Sequence, residues 1–366
     1  MKRALATFAV ALAALSVSAA EQVLFRGGDA VGGVVSKVYR IPAMCTAPNG
    51  DLVAVCDARR NHMGDLNSCQ PIEIAVRRSS DGGRTWSAPV FSTDWWKWNE
   101  REQWAASDPS LVVDSVTKKI FLFVNVWECR NKRGVYQHFV QESSDNGKTW
   151  SRPRDITSDI SVPEWRNDAQ GGGFIFITSG SGIQTKDGTL LHTLVRVRDG
   201  NALFGSTDHG KTWRAIGRPV KIGDECKVVE LTDGSWMINS RWHDKGKDAK
   251  NRGGREIHVT KDRGETWTSR YDAALADSEC NAQIMRVGNV LLFSNCNDPR
   301  RRARLYVRVS RDDGATWNEG VCVQPEGAAY SDMAVLKDGK TLGVIYEGAG
   351  YDTINFVTIP LSEVLK

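Results

Sequence analysis

The eight-residue pattern S/T-x-D-x-G-x-T-W occurs five times in this chain, at Ser79 to Trp86, Ser143 to Trp150, Ser206 to Trp213, Thr260 to Trp267 and Ser310 to Trp317. The intervals between its aspartates, at positions 81, 145, 208, 262 and 312, fall from 64 to 50 residues. Recurrence at such a period means one supersecondary unit used repeatedly with loops of variable length, and a period near 50 suits one four-stranded propeller blade. Each copy reads as a hairpin turn in which Asp accepts backbone N–H bonds, Gly supplies a positive φ and Trp covers the turn. The copies describe a scaffold, so chemistry must be sought elsewhere.

Short β-rich runs bounded by turn signals fill the remaining sequence, among them Asp51 to Asp57, Ile72 to Arg78, Lys119 to Trp127 and Met333 to Glu347. No segment keeps a helical period over three turns, and the chain reads as all-β. Five repeats mark five blades. The residues after Trp317 suffice for another sheet, closed by a strand near Leu24, and the expectation is a six-bladed β-propeller.

Lys2 and Arg3 precede an apolar run from Ala4 to Val17 and the small residues Ser18, Ala19 and Ala20. Residues 1–20 therefore read as a secretory signal, with residues 21–366 a single exported domain, periplasmic or secreted. Nothing later approaches the roughly 20 apolar residues of a membrane span. The net charge of +4, or +2 without the signal, argues against a nucleic-acid or anionic-membrane partner, although Arg300, Arg301, Arg302 and Arg304 form a local cationic run. Eight irregularly spaced cysteines permit disulfides in an exported chain, yet a chain of this size can equally bury them as free thiols. Six histidines without a ligand-spaced pair, and the lack of a phosphate loop or dinucleotide fingerprint, give no reason to expect a metal or cofactor.

Active sites of propellers collect at the axis, so their residues are scattered along the chain. Tyr39-Arg40-Ile41-Pro42 near the amino terminus, together with the five repeats, resembles the sialidase (neuraminidase) family, whose bacterial members combine such Asp-box hairpins with a Y/F-R-I-P segment. The resemblance runs from about Val23 to Phe356. It implies a substrate ending in sialic acid, a sugar with a carboxylate on its anomeric carbon, carried on a glycan or glycoprotein.

Arginine suits that carboxylate because its planar fork grips two oxygens and stays charged. The resemblance assigns Arg40, Arg241 in Ile238 to Arg241, and Arg302, with Arg304 the close rival for the third place, and Glu347 as the acid orienting the first arginine. It assigns Tyr330 as nucleophile. A neutral attacking oxygen avoids the repulsion that a carboxylate would meet beside the substrate's own charge, and tyrosine-using sialidases are a known exception among glycosidases. A phenol needs a base, and Glu225 matches by spacing to Arg241, whereas Glu230 reads as a strand residue. Asp65, in the polar loop Asn61 to Asn67, matches the general acid and base, and Arg59 with Asp108 matches a pair that holds a sugar hydroxyl.

The reaction so implied is retaining exo-sialidase cleavage through a Tyr-bound intermediate. Transfer of the sialyl group to another sugar, or within the same sialic acid, is an alternative, and a non-catalytic glycan-binding propeller is another. Met63, Trp127 and Phe174 are candidates for an N-acetyl pocket, each with a packing alternative. The aromatic cluster Trp95-Trp96-Lys97-Trp98 reads equally as a glycan platform or a hydrophobic plug, and Gly171 to Gly173 as a tight loop near the axis.

Overall fold

The computed structural model describes residues 21–95, 103–129, 136–165, 174–197, 199–242 and 253–366. The expected signal at residues 1–20, the segment Trp96-Lys97-Trp98 and the glycines 171–173 lie outside these residues. Largely antiparallel sheets follow one another in chain order, and Gly180–Ser181 adds a short parallel pairing to the inner strand of the second. The first comprises Val38–Thr46, Leu52–Arg59, Ile72–Ser79 and Val90–Phe91; the second, Trp104–Asp114, Lys119–Glu128, Gln137–Ser143 and Arg154–Asp155. The third gathers short pieces, Ile175–Ile177 and Ile183–Gln184, on Leu190–Arg196, followed by Gly200–Ser206 and Arg214–Val220. Cys226–Glu230, Trp236–Arg241, Arg255–Thr260 and Thr268–Asp272 make the fourth.

The last sheet has seven strands in the order Gln22–Arg26, Thr353–Pro360, Thr341–Gly348, Val321–Val335, Ala303–Ser310, Val290–Cys296 and Gln283–Val287. Its long central strand pairs through residues 321–327 with Ala303–Ser310 and through residues 328–335 with Thr341–Gly348.

Burial orders each sheet from inside to outside. Val38–Thr46 is buried along all but its last residue and abuts the first strands of neighbouring sheets, whereas Thr268–Asp272 is mostly exposed. A strand covered on both faces needs a continuous apolar run rather than alternation, which Val-Tyr-Arg-Ile-Pro-Ala-Met-Cys supplies except at Arg40. Facing sheets then share apolar layers: Val53, Val55 and Ile74 meet Leu122, Val124 and Phe139, and Phe121 and Phe123 meet Leu194, Phe204 and Trp213. The result is an all-β, propeller-like arrangement.

Each of the five repeats forms the turn between the third and fourth strands of its sheet. In the copy at Ser206, Ser206 Oγ accepts the Gly210 N–H at 2.8 Å, Asp208 Oδ1 accepts the Thr212 N–H at 2.9 Å and Asp208 Oδ2 accepts the Thr212 hydroxyl at 2.6 Å. The other four copies repeat these bonds. The conserved geometry also joins sheets: Trp213 stands edge-on to Phe123 at 4.8 Å, and a Cβ on Gly210 would lie 2.1 Å from Phe121 Cζ. Glycine is needed there twice over, for contact and for its φ of 80°.

The repeats stop at five because the outer strand of the final sheet comes from the other end of the chain. Gln22–Arg26 pairs antiparallel with Thr353–Pro360, as expected for a closing strand near Leu24, so no hairpin exists there to carry another copy. Phe25 is 1% exposed and stacks on Tyr39 at 5.4 Å, tying this strand to the first sheet. The eight cysteines are all free thiols.

Closure through Phe25 makes a prediction about stability. Phe25→Ala removes a fully buried ring and should cost about 3–5 kcal/mol, seen as a lower midpoint in urea unfolding. A midpoint within error of the parent would show that the amino-terminal strand does not hold the ring of sheets closed.

Candidate active site

Three inner strands carry a register irregularity at the same end of the axis. They fall between Arg40 and Ala43, between Ser107 and Ser110, and between Ala328 and Ser331. A bulge turns side chains away from strict alternation, and here the turned residues face one cavity. Ile41 and Asp108 both have φ of 58°, and both are followed by proline. For a β-branched residue such as Ile41 that backbone is strained, and the surroundings must impose it.

The cavity, about 480 Å³, is lined by Arg40, Asp65, Asp108, Glu225, Arg241, Arg302 and Tyr330 among polar residues, with Leu66, Tyr136, Phe174, Phe176 and Val197 forming an apolar wall. Residues from position 40 to position 330 thus meet in one space.

Tyr330 and Glu225 form its floor. The Tyr330 hydroxyl donates to Glu225 Oε1, while Arg241 Nη1 donates to Glu225 Oε2 at 2.6 Å and to the Tyr330 oxygen at 3.3 Å. Burial and the neighbouring Glu225 hold the phenol well above its ordinary ionisation range, with Arg241 and Arg302 pulling the other way. The phenol is therefore held in its neutral form. Its proton has one acceptor in place, the carboxylate it already touches.

Glu347 fixes a second corner. Its carboxylate accepts Arg40 Nε at 2.7 Å, the Ile41 N–H at 2.9 Å and the Tyr330 N–H at 3.2 Å. Burial opposes the Arg40 charge and Glu347 more than restores it. Arg302 completes the cationic side: Nη1 donates to the Tyr351 hydroxyl at 3.2 Å, Nη2 donates to the Glu279 carbonyl at 2.7 Å, and the guanidinium lies 5.2 Å from the Tyr330 ring centroid. Arg302 lines the cavity, whereas its rival Arg304 is exposed and sits over Tyr306.

Opposite stand the acids. Asp65 lies on the loop after Leu52–Arg59, its side chain 75% exposed, and accepts Arg59 Nη1 at 2.9 Å. Asp108 accepts Asn125 Nδ2 at 3.1 Å and borders the cavity. Of the two residues expected to hold a sugar hydroxyl, Asp108 thus borders the cavity and Arg59 is not among the residues lining it. Arg59 is fully buried under the loop, spending Nε and Nη2 on Asp57 and Nη1 on the Met63 and Gly64 carbonyls as well as Asp65. Its surroundings explain this: Asp57, in an otherwise apolar strand, needs a cation, and Arg59 is two residues away on the same face.

Asp57 also accepts Ser107 Oγ at 2.5 Å and the Asp108 N–H at 3.1 Å, which makes it the link between the first two sheets beneath the acids. Sequence reasoning passed over it, although a carboxylate inside Leu-Val-Ala-Val-Cys-Asp-Ala is a readable signal. Glu230 belongs elsewhere, at the far end of its strand, where it accepts the Lys186 N–H at 2.9 Å. Of the aromatic candidates, Phe174 lines the cavity, Trp127 is buried with its indole N–H on Cys69 Sγ, and the Met63 side chain points to solvent. Trp95 is a core residue, fully buried and edge-on to Phe139. Among the described residues no cluster has metal-ligand geometry.

A BNR repeat-like domain matches residues 50–344. A sialidase of Micromonospora viridifaciens is 35% identical over 87% of this chain, and a sialidase of Bacteroides fragilis 30% identical over 90%. The chain spans 51% and 63% of the lengths of those relatives. Among solved structures, the Hadza microbial sialidase Hz136 superposes with a TM-score of 0.79 at 27% identity, covering 90% of this chain and 67% of that one. The intramolecular trans-sialidase of Ruminococcus gnavus, at 16% identity and a TM-score of 0.74, shares the fold.

Asp108 provides a test of the acidic side. Withdrawal from water, then the nearby Asp57 charge, push it up to about 8, and the two carboxyls titrate together. A carboxyl raised in the folded state binds its proton more tightly there than in the unfolded chain. Its contribution is full below the ordinary value near 4 and is lost as pH rises toward 8. Stability of the parent relative to Asp108→Asn should therefore decline from pH 4 to 8 in parallel denaturation series. A difference that stays flat or grows would contradict the raised value.

Proposed function

We propose, from the premise that this chain belongs to the sialidase family, that it is a retaining exo-α-sialidase that removes terminal sialic acid from glycans. The observation that carries the reading is the hydrogen-bonded Tyr330–Glu225 pair facing Arg40, Arg241 and Arg302 in one cavity. Three guanidiniums around a pocket fit a substrate whose reacting carbon bears a carboxylate. We read the seven-stranded sheet as two blades sharing Val321–Val335, which makes six blades around the site.

In this scheme the arginines hold the sialic carboxylate over Tyr330. The phenol oxygen bonds to the anomeric carbon as its proton passes to Glu225, and the bond to the departing glycan breaks with Asp65 giving that oxygen a proton. Water then loses a proton to Asp65 and bonds to the anomeric carbon, and Tyr330 leaves and recovers its proton from Glu225. Two inversions give retention. A neutral nucleophile approaches the substrate's negative charge without repulsion, and Arg241, touching both partners, steadies the charge that forms on them.

The remaining residues take supporting roles. Arg59, packed against the Met63 and Gly64 carbonyls, holds the Asp65 loop over the cavity, and Asp108 is placed for a sugar hydroxyl. The apolar wall of Leu66, Phe174, Phe176 and Val197 suits an acyl methyl group. Water is taken as the acceptor, and the ring form of the released sialic acid distinguishes hydrolysis from intramolecular transfer.

The deciding experiment is release of methylumbelliferone from its sialoside by the purified protein beside Tyr330→Phe. The parent should turn over, and the variant should keep binding while losing at least ~10³-fold in kcat. Silence from folded parent would remove the enzymatic reading, and equal turnover by both would remove Tyr330. Asp65→Ala should lose far more activity on a sialylated oligosaccharide than on the aryl sialoside, because a phenolate leaves without a proton and an alkoxide does not. Equal losses on both substrates would take the general acid away from Asp65.

A further inference from the structure

The loop that follows the Glu347 strand turns back toward the site. Its residues Ala349–Tyr351 form a single 3₁₀ turn in which Gly350 has φ of 69° and Tyr351 φ of 63°. Glycine adopts that backbone freely, whereas a tyrosine does so only where its surroundings impose it. The loop is held close on two sides: the Gly27 N–H donates to the Asp352 carbonyl at 2.9 Å, and a Cβ on Gly327 would lie 2.9 Å from Ala349 Cβ. Tyr351 is thereby half-buried on the cluster of Ile41, Cys280, Cys296, Ala329 and Tyr330.

From there its side chain meets two of the three arginines of the cavity. The Arg40 guanidinium carbon lies over the ring, 4.2 Å from its centroid, and the hydroxyl accepts Arg302 Nη1 at 3.2 Å. One residue thus touches two guanidiniums that reach the cavity from different sheets.

The two contacts do different things. Glu347 grips Arg40 along one edge, through Nε at 2.7 Å, which leaves the plane of the fork able to rock about that edge. A ring against its face opposes the rocking. Arg302 is held in another way. Whereas Arg241 has the Glu225 carboxylate at 2.6 Å, among the described residues the oxygens that meet Arg302 are neutral, the Tyr351 hydroxyl and the Glu279 carbonyl at 2.7 Å. A neutral acceptor orients a guanidinium without cancelling its charge, and so leaves that charge for an anion entering the cavity. Packing alone would be met by phenylalanine, and the hydroxyl finds its use at Arg302.

We propose that Tyr351 is a positioning residue for substrate, which sets the tilt of Arg40 and the direction of Arg302 so that both grip one carboxylate. The inference rests on the sialidase reading, which supplies that carboxylate. Tyr351 is not among the residues lining the cavity, and it acts through the arginines.

The test uses the glycal of sialic acid, an unsaturated analogue with no glycosidic bond to cleave, and its methyl ester, which keeps the shape and removes the negative charge. Binding to the parent, Tyr351→Phe and Tyr351→Leu is read by titration calorimetry for the acid and by ligand-observed NMR for the ester. Tyr351→Phe keeps the ring on Arg40 and loses the bond to Arg302, so affinity for the acid should fall about fivefold, the scale of one hydrogen bond. Tyr351→Leu loses both contacts, and the fall should reach about twentyfold. Affinity for the ester should stay parental in both variants, and KM for the methylumbelliferyl sialoside should rise by the same factors while kcat stays close to the parent's. Equal losses on acid and ester would mean that the loop has only lost its shape, and they overturn the proposal, as does a Tyr351→Phe variant that binds both probes like the parent. A parent that binds the acid no better than the ester removes the sialidase reading, and this inference with it.

Discussion

The carboxylate of Glu347 is the contact on which the rest of the site depends. It binds Arg40 and the Ile41 N–H from the first sheet and the Tyr330 N–H from its own, so that one buried side chain spans 307 positions of sequence. Without it the Arg40 charge would lie in a dry interior unpaired, and the bulge that turns Ile41 to a positive φ would lose its hydrogen bond. It also sets the height of the Tyr330 backbone, and with it the reach of the phenol toward Glu225. Positioning of this kind, from rigid inner strands rather than loops, is what a site needs when the reacting groups must be held within fractions of an ångström.

Buried charge at the axis is paired: Arg40 with Glu347, Arg241 with Glu225, and Arg59 with Asp57. A hydrophobic axis would be simpler to fold, since each buried ion must recover its lost hydration from neighbours. The inner strands meet that demand with bulges, which free backbone N–H groups such as those of Ile41 and Asp108 to bind carboxylates instead of a partner strand.

Much of this was legible before any coordinates. The five repeats announced the sheets because their Ser, Asp, Gly, Thr and Trp are each demanded by one turn, and a turn leaves a local signature. Arg40, Glu225, Arg241, Arg302 and Tyr330, which line one cavity, and Glu347, which holds Arg40, were found through resemblance. Periodicity alone would not have found them, because inner strands buried on both faces have no polar alternation to break. The surroundings of Arg59 were not legible for a related reason. Its environment is set by Asp57 and by the carbonyls of a loop whose path depends on three-dimensional packing rather than on neighbours in sequence. Arg302 and Arg304 are not told apart by sequence, because which of two arginines two positions apart borders the cavity depends on the local backbone, and Arg304 has φ of 58°.

The strand that closes the ring is the earliest of the described strands to leave the ribosome and pairs with one of the last. Gln22 lies opposite Phe356, so the contact joins strands far apart in sequence. Pairings of that kind are slow, because the whole intervening chain must be gathered before they give any return. Until then both the Gln22–Arg26 segment and the edge of Thr353–Pro360 are open to other strands. The molecule thus spends its assembly time as an incomplete circle, and its vulnerability to aggregation lies in that interval rather than in the finished fold.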